Sequence, residues 1–460
     1  MKVTQTLAEF VASTKYEDLP LEAVDRAKPL ILDYLGVAVA GGRCSIGEIV
    51  LELGRQTEQG GDASVIGADY TATLSGAAFI NGTLAHALDI DDTAAGTVGH
   101  PSAPLLPALF ALAESHPCSG RSFVTAYILG LEVFYRIALA SEGQMGGWHR
   151  SALFGALATA AASAKLLGLN PGQIQTAIGI STSLTGGVQL NFGTMSKAVQ
   201  VGNASRSGLV AALLAQAGCS GNPDSLDEPN GFGSTFYSGH FNTQKIVRDL
   251  GAPFNIIFPG MAFKIHPCCG LTHAPADIVL DLVRRHDLLP DQISEVVVYG
   301  EELWLTVLIY PQPETGYQGK YSMQYVVAAA IFDRDIGPDT FTDEQVNRPE
   351  HQAFFKRVQL LARPDAEWES VRQHAWNHCA EVIIRLRDGT ELRADAPCAR
   401  GYPDLPLSTS EIVEKFRNGC KASLSPQIID LIVDKTLVID ANSDLSDFLE
   451  LTRGSGSSRD

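Results

Sequence analysis

The sequence of 460 residues lacks the marks of several large classes of protein. Its formal charge of −18 leaves no basic stripe to neutralise phosphates, so we expect no nucleic-acid partner. It contains no GxxxxGK[ST] loop, no GxSxG turn and no CxxC pair, which argues against nucleotide hydrolases, serine hydrolases and common zinc sites. Eight cysteines without metal-ligand spacing are typical of reduced thiols in a cytosolic protein.

Long apolar runs are also missing. The N-terminal stretch MKVTQTLAEFVAS has no unbroken apolar core and does not predict a signal peptide. The nearest approach to a membrane span is ALFGALATAAASAKLLGL, which is rich in alanine, carries Lys165 and is typical of a buried helix. We therefore expect a cytoplasmic protein without a membrane partner.

What the sequence does contain is helical periodicity, from residue 5 to about residue 260. Apolar residues recur at spacings of three and four in TLAEFVASTKYEDLPLEAVDRAKPLILDYLGVAVAG, with a break at Pro20 and an end at Gly41 and Gly42. Later segments such as SALFGALATAAASAKLLGL are rich in alanine and glycine, which favours close packing of helices. The pattern predicts a large all-α domain.

The pattern changes after residue 261. QISEVVVYG predicts a strand, CAEVIIRLRDGTELRADA predicts a hairpin turning at Asp388-Gly389, and YSMQYVVAAAIFD and QAFFKRVQLLA predict helices. Helical segments return near the end of the chain. We expect a mainly α protein: an all-helical domain from residues 1–261 and 403–452, an inserted α+β lid from 262–402, and a flexible tail over 453–460.

The stretch LAHALDIDDTAAGTVGHPSAP concentrates polar residues in an apolar neighbourhood. If a helix continues through it, His86, Asp89 and Thr93 share one face, while Asp91 points to water. His100 then precedes a new helix capped by Ser102, whose N-terminus suits a carboxylate ligand. The alternative interpretation is helix capping beside a surface loop.

Four other segments place reactive side chains in suggestive positions. His149 in GWHRSALFG precedes a long helix, and Lys197 in GTMSKAVQVGNASRSG lies beside glycine-rich backbone that suits an anion. Lys264 in FKIHPCCGLTH lies at the domain junction, where desolvation would lower its pKa towards a useful range. In KYSMQY, Tyr321 or Tyr325 could line a cleft. The structural alternatives are a helix cap for His149, a solvated surface side chain for Lys197, and packing in the core for the two tyrosines.

Taken together, these segments resemble the MmgE/PrpD family, which includes 2-methylcitrate dehydratase, cis-aconitate decarboxylase and iminodisuccinate epimerase. The resemblance extends from ILDYLGVAVAGG through HALDIDDT, HPSAPLLPALFALAE, GWHRSALFGALATAAASAKLLGL and SKAVQVGNASRSGLVAALLA to FKIHPCCGLTHAPADIVLDL and YSMQYVVAAAIFD. It implies a helical domain with an α+β lid, a homodimer, no organic cofactor and no metal. It also implies a site between the two domains.

The resemblance assigns roles to individual residues by the motifs that they occupy. The residues implied for catalysis are Asp89, His100, His149, Lys264 and Tyr325, and those implied for substrate binding are Thr93 and Lys197. Histidine side chains can act as acids or bases near neutral pH, and lysine side chains can bind carboxylate groups. Generating a carbanion beside a carboxylate requires such a set.

The resemblance leaves several activities open. The favoured expectation is a lyase that dehydrates a hydroxy di- or tricarboxylate by removing the proton α to a carboxylate. The alternatives are an epimerase of an imino- or amino-dicarboxylate and a non-catalytic polycarboxylate-binding protein. Decarboxylation ranks lower, because the loop from Thr93 to His100 is one residue longer than in the decarboxylases, which also carry a histidine where Cys268 or Cys269 stands here. HPCC supplies too few spaced thiolates for an iron–sulfur hydratase.

Overall fold

The computed structural model describes residues 2–142, 146–227, 229–238, 240–369, 374 and 378–453. The predicted tail falls almost wholly outside these residues. The helices that come before residue 261 are α1 (Val3–Ser13), α2 (Leu21–Gly41), α3 (Ser45–Thr57), α4 (Leu74–Ala87), α5 (Ser102–Ser115), α6 (Gly120–Ala140), α7 (Arg150–Leu166), α8 (Pro171–Ser181), α9 (Ser196–Gln216), α10 (Phe232–Tyr237) and α11 (Gln244–Val247).

The remaining helices are α12 (His273–His286), α13 (Glu302–Val307), α14 (Gly316–Gly319), α15 (Met323–Phe332), α16 (Asp343–Val346), α17 (Pro349–Phe354), α18 (Asp365–Trp368), α19 (Thr409–Cys420) and α20 (Pro426–Leu437). The strands are β1 (Gln59–Ser64), β2 (Thr71–Ala72), β3 (Thr93–Ala94), β4 (Met261–Ala262), β5 (Ile293–Gly300), β6 (Val358–Ala362), β7 (Ala380–Leu386) and β8 (Glu391–Ala396). The predicted mainly α fold is confirmed.

Two large hydrophobic cores divide most of the described chain, beside a minor cluster of Ala78, Ala108, Leu112 and Leu209. The larger core draws on residues from Val3 to Met261 and again from Phe416 to Leu449, so both ends of the chain contribute to it. The smaller core draws on residues from Ala262 to Tyr402, joined by Phe192. The helix α6 has the length and hydropathy of a membrane span, but 94% of its apolar stretch is buried inside the protein.

Close packing of α9 against α4 and α7 positions the ends of all three helices. A Cβ atom on Gly202 would lie 2.3 Å from the Phe79 carbonyl oxygen, and one on Gly208 would lie 2.6 Å from that of Ala156. Only glycine permits such approaches, as the alanine- and glycine-rich sequence predicts. The three helices therefore bring His149, Lys197 and the loop after α4 to one region.

The smaller core is built on a four-stranded sheet in the order β6-β5-β7-β8, in which β5 and β6 are parallel and the other neighbours are antiparallel. The predicted strand β5 and the hairpin of β7 and β8 are confirmed, and Gly389 takes the positive φ of 91° that its turn requires.

The predicted helix over QAFFKRVQLLA is wrong in its second half. Helix α17 ends at Phe354, and Val358–Ala362 forms β6. The residues of β6 pair with β5 from Val296↔Val358 to Gly300↔Ala362, a long-range contact that local periodicity does not reveal.

Candidate active site

A cavity lies where the two cores meet. Its walls include the predicted residues Asp89, Thr93, His100, His149, Lys197 and Lys264. They also include residues that the sequence did not single out for the site, namely Ser151, Phe192, Leu271, Val307, His378 and Tyr402. Segments far apart in the chain therefore converge on one crevice, which is where ligands commonly bind.

Asp89 lies on the loop after α4, not on the helix. Helix α4 ends at Ala87, and Asp89 has a φ of 58°, in the left-handed region that a non-glycine residue seldom adopts. The prediction that His86, Asp89 and Thr93 share one helical face is therefore wrong. From the lid, Lys320 Nζ donates a 2.7 Å hydrogen bond to the Leu88 carbonyl, which fixes the backbone beside Asp89.

The Asp89 carboxylate holds three groups from other parts of the chain. Its Oδ1 atom lies 2.7 Å from Lys264 Nζ and 3.0 Å from Lys197 Nζ. Its Oδ2 atom accepts a 2.9 Å hydrogen bond from the Tyr321 hydroxyl. The Nε2 atom of His100 lies 3.9 Å from Oδ1. Asp89 therefore organises the charged side of the cavity.

The charges of this cluster decide its protonation. Burial raises the pKa of Asp89, but Lys197 and Lys264 outweigh burial and hold that pKa well below its usual range. Burial lowers the pKa of Lys264, yet Asp89 and Asp91 reverse the effect and leave its pKa above the ordinary value. The prediction of a lowered Lys264 pKa is therefore wrong. Lys264 is a permanent cation and not a proton carrier at neutral pH.

A second buried cluster supports His100. Asp91 Oδ2 lies 2.8 Å from His86 Nδ1 and 3.4 Å from His100 Nδ1, and Asp91 is only 2% exposed. The prediction that Asp91 points to water is thus wrong. The His100 Nδ1 atom lies 2.7 Å from the Asp92 carbonyl, to which it donates, so Nε2 is the nitrogen nearer Asp89.

The start of α5 also differs from the prediction. The helix begins at Ser102 itself, after Pro101, and Ser102 caps no backbone amide. Its hydroxyl instead contacts the Asp92 carboxyl and the Tyr127 hydroxyl. Burial raises the pKa of Asp92 well above its usual range, which favours the protonated carboxyl and a neutral contact with Ser102.

His149 immediately precedes α7, as its motif predicts, and its tautomer is fixed by Gln200. The Gln200 amide nitrogen donates to the Val188 carbonyl at 3.1 Å, so the amide oxygen faces His149 Nδ1 at 2.8 Å. Nδ1 therefore carries the proton. His149 Nε2 has no hydrogen-bond partner among the described residues. Burial, together with Lys197, lowers the pKa of His149 well below 6.5, so Nε2 is a free base at neutral pH.

Thr93 lies in β3, which pairs with β4 through Thr93↔Ala262 and Ala94↔Met261. This pairing ties the Asp89 loop to the segment that carries Lys264. The Thr93 hydroxyl donates to the Gly99 carbonyl at 3.1 Å, and the residue lines the cavity.

The structure does not bring the Tyr325 hydroxyl to the cavity. That hydroxyl donates to the Thr340 carbonyl, and its ring packs against Phe341 and His351 in the lid core. Tyr321, one turn earlier, takes the place beside Asp89. The sequence alone left both tyrosines possible as site residues. The family motif assigned catalysis to Tyr325, which instead packs in the lid core.

Several residues of the site went unrecognised because their signals are weak. Gln200 and Lys320 act through hydrogen bonds that depend on tertiary packing. Cys269 lines the cavity, but burial raises the pKa of its thiol to about 11, so it is uncharged at neutral pH. His378 and Tyr402 come from the far end of the lid and belong to no recognisable motif.

A metal ion fits this donor set poorly. Among the described residues, His86, Asp89 and His100 bring ligand atoms within 4.8 Å of one another. However, the Asp89 oxygen already faces the ammonium groups of Lys197 and Lys264, which would repel a divalent cation. The arrangement suits a carboxylate ligand and proton transfer, because cations and hydroxyl groups line the cavity beside the unpartnered His149 Nε2.

Known proteins resemble this chain along nearly its whole length. Residues 5–244 match the MmgE/PrpD N-terminal domain, and residues 266–437 match the MmgE/PrpD C-terminal domain. The chain is 29% identical to the cis-aconitate decarboxylase of Mus musculus over 467 residues, covering 98% of this chain and 93% of that protein. It is also 29% identical to the Homo sapiens enzyme and 28% identical to the Aspergillus terreus enzyme, covering 98% of this chain and 95% of each.

Proposed function

Because the chain belongs to the MmgE/PrpD family, we propose that it is a lyase that acts on a small di- or tricarboxylate by acid–base chemistry. The observation that carries this proposal is that a neutral base, His149, lines the same cavity as two lysines. His149 Nε2 is unpartnered, and Lys197 and Lys264 meet at Asp89 in the same cavity. No organic cofactor or metal is part of the proposal.

The first step is recognition of the substrate. A carboxylate that enters the cavity is attracted by Lys197 and Lys264, which share the single negative charge of Asp89. Thr93 lines the same cavity and is a further binding residue. The buried surroundings strengthen these interactions, because a low local dielectric increases the attraction between opposite charges.

The reaction that the geometry supports best is dehydration. His149 Nε2 removes the proton from the carbon α to a carboxylate, breaking the C–H bond, and the lysines stabilise the charge that develops on that carboxylate. The C–O bond at the neighbouring carbon breaks, and its electron pair leaves with the hydroxyl oxygen. That oxygen takes a proton from the imidazolium form of His100, which gives up Nε2–H and keeps Nδ1–H on the Asp92 carbonyl, so the products are water and an unsaturated acid.

Tyr321 and Asp89 position the cations and the acid. The Tyr321 hydroxyl occupies Asp89 Oδ2, which turns Oδ1 towards the two lysines and His100. Burial and the charge of Asp89 raise the pKa of Tyr321 well above its usual range, so its hydroxyl stays a donor.

A second candidate is decarboxylation of cis-aconitate, which the names of the curated relatives favour. Loss of carbon dioxide leaves a carbanion that needs a proton, whereas His149 is a base without one. Cys268 or Cys269 stands where the decarboxylases are expected to carry a histidine, and burial raises the pKa of both thiols, to about 12 and about 11, so neither is charged near neutral pH. We therefore place dehydration first and epimerisation after these two.

Proton NMR in heavy water distinguishes the candidates. The purified protein is incubated separately with 2-methylcitrate, citrate, cis-aconitate and iminodisuccinate. Dehydration gives a vinylic proton signal from citrate and an allylic methyl singlet from 2-methylcitrate, decarboxylation shortens the carbon chain, and epimerisation exchanges the α proton for deuterium without elimination. We expect elimination from a hydroxy tricarboxylate. Binding of these acids without any of the three changes would instead indicate a non-catalytic binding protein and contradict the proposal.

The family resemblance also leads us to propose a homodimer located in the cytoplasm. Light scattering of the purified protein tests the first part, with a mass of twice 49.1 kDa expected and a monomer mass contradicting it.

A further inference from the structure

The two walls of the cavity differ in charge. The helical core contributes His100, His149 and Lys197, and the first residues of the lid contribute Lys264, which contacts Asp89. The lid wall is formed mainly by uncharged groups such as Leu271, Val307 and the thiol of Cys269. Within the described part of the lid, Lys264 and His378 are the cavity residues whose side chains have basic nitrogen atoms.

The sheet of the lid holds His378 in place. His378 comes just before β7, and Glu301 follows directly after β5. The two strands are antiparallel neighbours with Tyr299 opposite Glu381, so the start of β7 lies beside the end of β5. This register brings His378 Nδ1 within 2.9 Å of Glu301 Oε2.

The contact with Glu301 defines which ring nitrogen of His378 is available to a ligand. A carboxylate accepts hydrogen bonds, so His378 Nδ1 carries a proton and Nε2 is the nitrogen left to serve a ligand. Glu301 is 8% exposed, and a substrate carboxylate at Nε2 would place the imidazole between two carboxylates, an arrangement in which both ring nitrogens donate. The ring of Tyr402, 6.3 Å away, packs edge-on against the imidazole.

We infer that His378 binds a carboxylate of the substrate at the lid wall through Nε2–H, with Glu301 as its positioning residue. The inference rests on the proposed function, because it assumes a polycarboxylate in this cavity. Lys197 and Lys264 hold one carboxylate, and His378 receives another elsewhere on the wall of the same cavity. His378 therefore favours substrates with three carboxylates over those with two.

Matched variants separate the two ring nitrogens. His378→Asn keeps a donor for Glu301 and loses the group at Nε2, whereas His378→Gln keeps a neutral donor near the position of Nε2. His374→Asn is the control, because His374 Nδ1 lies 2.9 Å from Asp404 Oδ2 in the lid and the residue does not line the cavity. Melting temperatures establish that each variant is folded.

Calorimetric titration with tricarballylate and glutarate, which differ by one carboxylate, provides the test. We expect His378→Asn to weaken tricarballylate binding about 10- to 100-fold, the loss of one charge-assisted hydrogen bond, and to change glutarate binding by less than about 3-fold. His378→Gln and Glu301→Gln should lie between wild type and His378→Asn, and His374→Asn should match wild type.

Equal losses for the two ligands, or tricarballylate binding by His378→Asn that equals wild type, would overturn the inference. If His378→Asn does not fold, His378→Gln and Glu301→Gln decide by the same comparison. The proposed function is tested separately by turnover. A wild-type protein that binds tricarballylate more tightly than glutarate but converts no substrate would refute the proposed function and leave the assignment of His378 standing.

Discussion

Lys264 Nζ lies 2.7 Å from Asp89 Oδ1, and this contact joins the lid segment to the loop after α4. Lys264 is 1% exposed and Asp89 is 3% exposed, so little of the pair contacts bulk water. Burying such a pair costs desolvation energy, so the pair is weak evidence of a role in stability. Because the pair lies in the cavity, we expect Lys264 to act in the reaction.

Replacing Lys264 by methionine should lower kcat/KM by about 100- to 1000-fold, because it removes a fixed cation from the charge that develops during the reaction. Steady-state kinetics on the substrate found by NMR provide the measurement. Lys165→Met is the control: Lys165 is a half-buried lysine that donates to the carbonyls of Ala12 and Thr14, and it does not line the cavity. Equal activity of the two variants would refute the role of Lys264.

The two tyrosines of KYSMQY should separate activity from stability. Tyr321→Phe removes the donor to Asp89 Oδ2 and should reduce kcat/KM about 10-fold or more. Tyr325→Phe removes the bond to the Thr340 carbonyl and should cost about 1 kcal/mol of stability while kinetics stay near wild type. Kinetics and urea denaturation of both variants check this. The reverse pattern would show that Tyr325, and not Tyr321, acts in the reaction.

The loop that carries Asp91 and Asp92 is anchored from the C-terminal part of the chain. Lys415 on α19 lies 2.7 Å from Asp33 Oδ1 on α2 and donates to the Ile90 carbonyl at 2.8 Å. Lys415→Met leaves the buried Asp33 carboxyl unpaired and should lower the free energy of unfolding by about 3–5 kcal/mol. Urea denaturation should show a smaller loss for the double variant Asp33→Leu/Lys415→Met. Additive losses would show that the pair is not coupled.

The pH dependence of the reaction should reveal the environment of His149. Burial, then Lys197, lowers the pKa of this base well below 6.5, so its protonation should reduce kcat/KM only at pH values well below 6.5. Lys197→Met removes the second of these causes. The residual activity of that variant should therefore decline at a higher pH than the wild-type activity does. A decline at the same or a lower pH would contradict the assignment of His149 as the base.

Much of the fold follows from local sequence, because helical periodicity and glycine-rich packing are local signals. The capping box of Asn170 and Gln173, with Pro171 in the first turn, sets the start of α8 in this way. Strand β6 could not be predicted, since its conformation depends on pairing with β5. The end of α4 was missed as well, because the left-handed conformation of Asp89 is held by contacts with the lid.

The candidate site, like the fold, could be predicted from the sequence only in part. His149, Lys197 and Lys264 lie in distinctive motifs, and the structure brings them to one cavity. The pKa of Lys264 could not be inferred from burial alone, since Asp89 and Asp91 reverse its direction. Gln200 and His378 could not be found either, because each acts through a partner, Val188 or Glu301, whose proximity only the folded chain reveals.

The central claim is that neutral His149 removes a proton α to a carboxylate. It is tested most directly by proton NMR in heavy water with 2-methylcitrate, comparing wild type with His149→Asn and the control His374→Asn. We predict that wild type and the control eliminate water at equal rates and that His149→Asn is slower by about 100-fold or more. Elimination by folded His149→Asn at the wild-type rate would contradict the claim, as would a wild-type protein that leaves 2-methylcitrate unchanged and releases carbon dioxide from cis-aconitate.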